Sequence, residues 1–218
     1  MPLSSVVGAQ SIVKPGVCTS STRPASPYDG QMIYETDTNR VLVYDNTAWV
    51  MVADATQPPG LQLVKTQTVG SAVTSVEVTG AFSADFQSYK IIYTNGACSG
   101  SGPINFRLGS STTTYFSAAA YTIYSNGAFG SVYNNNTGGF WYYAGAGNQD
   151  VGVTLNIDVH NPFDSTRYTS FGGPFMVTDV AGSVGGVHKT NASYSAFTLL
   201  VGTGTITGGT IRVYGYRN

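Results

Sequence analysis

The sequence predicts an all-β protein, and three observations carry that expectation. Short apolar segments recur at close intervals, separated by Gly, Asn, Asp and Pro turn formers. Gly (27) and Tyr (15) are abundant while charged residues make up only 10%, a mixture that suits turn-rich sheets and not helical bundles. Apolar residues alternate with polar ones, most cleanly at Val151, Val153, Leu155, Ile157 and Val159, and no segment carries a convincing helical pattern. A 42% hydrophobic content is enough to build a core, so a disordered chain is not expected.

Residues 1–30 read as an extended arm. Pro2, Pro15, Pro24 and Pro27 disfavour helix, and Val6, Val7, Ile12 and Val13 are short apolar anchors that could add to another surface. Residues 31–56 read as a meander of three short strands, 31–35, 40–44 and 47–52, after an Asp29-Gly30 turn. Their apolar residues are consecutive, so both faces of a very small sheet need cover. Met32, Ile33, Tyr34, Leu42, Tyr44 and Trp49 are therefore candidate subunit contacts, and a homotrimer would bury them around one axis. No heptad run is present, so a trimer would have to form through sheet faces.

Residues 57–60, Gln-Pro-Pro-Gly, read as a linker, and 61–218 as a distal β-sandwich. Within it strands are predicted at 61–69, 74–78, 89–93, 104–108, 118–124, 139–143, 151–159, 168–171, around 175–177, 196–201 and 210–216. About eight to ten of these as independent strands would suit a two-sheet sandwich of jelly-roll type without separating it from other sandwiches.

Composition also limits function. A net charge of −1 leaves no basic field for nucleic acid. The N-terminus shows no basic segment followed by an apolar run, and no stretch approaches the length of a membrane span, so neither secretion nor membrane insertion is expected. Cys18 and Cys98 read as free thiols. No metal or other cofactor is expected: His160 and His188 lack partners at ligand spacing and read as surface or turn histidines. No enzyme is expected either. The few acids, Asp150 and Asp158 among them, form no certifiable carboxylate pair, and no nucleophile motif occurs.

Binding remains. The stretch 133–150 sets aromatics beside amides and an acid, the pairing that recognises sugars. Trp141, Tyr142, Tyr143, Asn148 and Asp150 are the glycan-binding candidates, with 121–133 as a second surface. The competing reading, favoured in a tyrosine-rich β chain, is a strand whose rings serve the core and a subunit contact.

The segment RPASPYDGQMIYETDTNRVLVYDNTAWVMV, Arg23–Val52, resembles one that recurs in virion proteins of tailed bacteriophages, and GGTIRVYGYRN, Gly208–Asn218, resembles the last strand of their distal domains. The resemblance implies a structural virion protein made in the bacterial cytoplasm. Its N-terminal part would dock on other phage virion proteins, and a jelly-roll-like domain would project. A short homotrimeric tail fibre or tip that contacts a host-surface glycan is the leading expectation. A capsid decoration or head-fibre protein is the alternative, followed by a carbohydrate-active enzyme or lectin.

Overall fold

A computed structural model describes residues 15–54 and 60–217. Val6, Val7, Ile12 and Val13 lie outside the described residues. The chain divides into two compact units, Met1–Pro59 and Gly60–Asn218, and is all-β, with no helix among the described residues.

The first unit is one four-stranded sheet: β1 (Gly16–Cys18), β2 (Met32–Glu35), β3 (Arg40–Tyr44) and β4 (Trp49–Asp54), in that order. The turns are set by residues that tolerate left-handed backbone: Gly30 (φ 80°), Asn39 (φ 53°) and Asn46 (φ 72°). β2, β3 and β4 are the predicted meander. β1 is a correction: this piece of the expected arm pairs in parallel with β2, Gly16 opposite Ile33 and Cys18 opposite Glu35. Polar contacts fasten it. Ser20 N–H and Oγ–H both donate to the Asp37 carboxylate, at 2.9 and 2.6 Å, which holds that carboxyl below its ordinary pKa. Arg23 Nε–H donates to the buried Glu35, which also accepts from Thr38 Oγ1 at 2.7 Å. The segment missed prediction because its hydrogen bonds go to residues far along the chain.

The candidate contacts of this sheet separate into two sets. Ile33 (1% exposed) and Leu42 (4%) are already enclosed and offer nothing to a partner, which corrects that expectation. Tyr34, Tyr44 and Trp49 are half-buried, the last two in mutual ring contact at 5.4 Å. Met32 stays exposed in a cross-strand row with Val43 and Val50, and Val17, Met51 and Val52 are also exposed.

The second unit contains β5 (Gly60–Thr68), β6 (Ser75–Val78), β7 (Ser88–Thr94), β8 (Ala97–Cys98), β9 (Gly102–Leu108), β10 (Tyr115–Ile123), β11 (Phe129–Asn135), β12 (Trp141–Asn148), β13 (Gly152–His160), β14 (Thr169–Val177), β15 (Val180–His188), β16 (Phe197–Val201), β17 (Ile206–Thr207) and β18 (Thr210–Arg217). Gly60, assigned above to the linker, already belongs to β5. All pairings here are antiparallel. One sheet runs β5-β18-β7-β13 and the other β6-β16-β9-β12. β13 joins them: its first residues pair with β12, its last with β14. Beyond β14 the first sheet continues through β15, β10 and β11, and this extension packs over β12.

The alternation predicted for 151–159 is observed from Val153 onward, with Val153, Leu155, Ile157 and Val159 buried, whereas Val151 stands in the preceding turn and is exposed, which corrects that end of the expectation. The core centres on Trp141, whose ring meets Phe171 (4.5 Å), Phe106 (5.6 Å) and Tyr115 (5.7 Å). Phe106 stacks in turn on Phe197 at 4.6 Å. Trp141 is thereby corrected as a glycan candidate: it is fully buried, and no ligand can reach it.

Candidate functional site

The site begins with an irregularity in β12. Trp141 stands opposite Phe106 of β9, but Gly145 stands opposite Ile104, so β12 spends two more residues than its partner. The extra backbone must satisfy its polar groups elsewhere. Tyr142 N–H donates to Ser117 Oγ (3.0 Å) and Tyr143 N–H to Asn105 Oδ1 (3.3 Å). Ser117 and Asn105 are both buried, so these side chains replace ladder bonds in the interior. Tyr143 takes φ 57°, an uncommon conformation for a bulky residue, and such strain collects at functional positions.

The bulge puts the Tyr143 ring in a cleft of about 330 Å³, within the size range of small-molecule sites. Tyr121 of β10 and Phe175 of β14 line it beside Tyr143. The Phe175 centroid lies 5.2 Å from Tyr143 and 5.6 Å from Tyr121. Tyr121 lies over Gly130 of β11, where a Cβ would fall 2.4 Å from the ring, so only glycine admits that placement. Polar groups come from Ser101, Asn148, Thr178 and Asp179. Asn148 Nδ2–H donates to Ser101 Oγ (2.9 Å), while its Oδ1 accepts from Asp150 N–H (2.7 Å). Burial raises the Tyr143 phenol above its ordinary pKa, so it stays a neutral donor at physiological pH.

Of the glycan candidates, Tyr143 and Asn148 meet here. Tyr142 is half-buried beside Tyr143 (4.6 Å) without lining the cleft, and Asp150 is exposed outside it. Tyr121, from the second predicted surface, joins the same cleft. Phe175, Ser101 and Asp179 were missed. Phe175 was legible as an apolar residue near a strand, but β15, which completes the β14–β15 hairpin, is VAGSVGGVH and carries no strand signal.

Two other polar groupings are structural. Asp158 accepts from Tyr216 O–H (2.5 Å) and from Lys90 Nζ–H (3.2 Å), and the first bond pushes the tyrosine up to about 12. Beside it, exposed His160 shares a 2.9 Å bond with Ser88, and no second carboxylate lines the hollow they form. His188 is not the surface or turn histidine expected. It is fully buried, with Nε2 bonded to Ser111 Oγ (2.8 Å) and Nδ1 near Tyr194 O–H (3.4 Å). Desolvation lowers its pKa, and among the described residues no acid contacts the ring, so the pair lacks the orienting carboxylate of a nucleophile triad.

No group of His, Cys, Asp and Glu that could hold a metal occurs among the described residues. No family model, curated protein or solved structure matches the chain.

The bulge is open to test. Asn105→Ala, which strands the buried Tyr143 N–H, is expected to cost about 1–3 kcal/mol in denaturant unfolding. Ser117→Ala should cost a similar amount at Tyr142. No change in either midpoint would mean that the bulge does not depend on these side chains.

Proposed function

We propose that the protein is a structural component of a bacteriophage virion. It is read as a short homotrimeric fibre or tip, attached through its N-terminal unit and projecting the larger unit toward the host surface. The observation that carries this reading is the first unit's exposed apolar surface. Met32 and Val50 are 42% and 45% exposed in one row, and Val17, Met51 and Val52 are more so, in a sheet of only four strands. A sheet of that size gains stability and purpose by lying against another protein.

Two further features support the reading. The orders β5-β18-β7-β13 and β6-β16-β9-β12 fit two interleaved Greek keys, which supports the jelly roll that the phage resemblance implies and that capsid and lectin domains share. That likeness is one of fold, and function is argued from the sites. The cleft also lies at one end of the second unit. Gly60 pairs with Arg217 beyond the Tyr89–Val159 rung, whereas the cleft is built around the Gly147–Val153 rung, roughly 20 Å along the strands. The aromatic cleft is thus presented away from where the chain enters the unit, as a host-contact surface requires.

The test is a full-length Met32→Asp/Val50→Asp variant produced during infection. It should fold yet be missing from purified particles. Incorporation at the normal level would sink the attachment role of this sheet. A second variant, Tyr143→Ala, separates fibre from decoration. Loss of adsorption with normal incorporation supports host contact, while unchanged adsorption points to a decoration protein on the head.

A further inference from the structure

The lining of the cleft restricts what it can hold. Tyr121 and Tyr143, both half-buried, offer ring faces, which suit the apolar side of a pyranose or a cation, while Phe175 is buried behind them and only backs the cleft. The Asn148 and Ser101 acceptors are engaged, which leaves the carboxylate as the strong acceptor. Asn148 Oδ1 is occupied by backbone N–H groups, and Ser101 Oγ already accepts a hydrogen bond. Asp179 sits in the two-residue turn closed by the Val177–Val180 pair, and its carbonyl accepts from Tyr124 N–H (2.9 Å), which fixes the turn over the cleft. Among the described residues its carboxylate has no hydrogen-bond or ion-pair partner. No lysine, arginine or histidine lines the cleft, so its one formal charge is negative and unanswered.

We infer that this cleft is a saccharide subsite that selects against acidic sugars and favours a pyranose bearing a protonated amine, held by the Asp179 carboxylate beside the Tyr121 and Tyr143 rings. The inference rests on the host-glycan reading of the same cleft and adds the class of sugar. A carboxylated or phosphorylated sugar would bring a second anion into a site with no cation to receive it, whereas an ammonium group meets both a carboxylate and ring faces.

The experiment is saturation-transfer NMR on the full chain with glucosamine, N-acetylglucosamine, glucose and glucuronate as separate probes. Glucosamine should bind best, by about fivefold over glucose, the two uncharged sugars should bind alike, and glucuronate should give no transfer. Asp179→Asn should bring glucosamine down to the level of glucose and leave glucose unchanged. Tyr143→Ala should weaken every sugar that binds. Glucuronate binding as well as glucose, or a glucosamine preference that survives Asp179→Asn, overturns the selectivity while leaving a glycan site in place. Silence from all four probes overturns the glycan reading itself.

Discussion

Trp141→Ala is expected to destabilise the second unit by about 3–5 kcal/mol, the largest effect of any single substitution considered. The indole fills the space between the sheet of β9 and β12 and the overlying β10 and β14, touching Phe106, Tyr115 and Phe171 at once. Alanine would leave a void that residues from four strands would have to close together, which close-packed interiors resist. The loss should come from packing alone, because the indole N–H is buried without an acceptor among the described residues. Trp141→Phe should therefore cost much less, about 1 kcal/mol. Calorimetry of both variants decides it. Equal losses would mean that the nitrogen has a role that the packing does not explain.

Arg23→Ala is expected to act on the first unit and leave the second untouched. Glu35 is wholly buried opposite Arg40, and its carboxylate accepts from Arg23 and Thr38. Removing the guanidinium should cost about 2 kcal/mol, below the figure for a fully enclosed pair because Arg23 is 38% exposed. The hydrogen bond from Arg23 is also the main cause that draws the Glu35 carboxyl below its ordinary pKa. A lowered folded-state pKa adds stability above the ordinary glutamate range, and that stability disappears as pH falls through the folded value. Wild type should thus lose first-unit stability on acidification below that range, and Arg23→Ala should show a shallower decline. The two tryptophans, Trp49 and Trp141, fall one in each unit, so Trp141→Phe leaves Trp49 fluorescence as a reporter of the first unit alone. A pH profile unchanged by Arg23→Ala would remove this ion pair from the account.

Strands were legible where burial is one-sided. The period-two run from Val153 to Val159 and the nearly continuous apolar run at 89–93, broken only by Lys90, lie in β13 and β7, because cores impose that pattern directly. β15 and β11 were not legible. Gly182, Gly185 and Gly186 let β15 lie close between its neighbours, so its reason for being a strand belongs to β10 and β14. Phe129–Asn135 of β11 reads as loop because its outward residues, Phe129 and Tyr133, are largely exposed. The cleft was half legible. Aromatics beside amides marked 133–150, but the bulge that turns Tyr143 outward and Trp141 inward depends on Asn105 and Ser117, which lie well upstream in the chain. Local composition cannot tell which of two nearby rings a distant partner will turn toward solvent.

The separation between Gly60 and the cleft has a mechanical consequence. If the first unit is the tether and the cleft is the grip, a pull on the captured ligand runs lengthwise along β13, β7, β18 and β5. Force in that direction loads many ladder bonds together in shear and does not peel them apart one by one. A particle held by such a molecule should therefore lose its hold at the ligand before the domain itself comes apart.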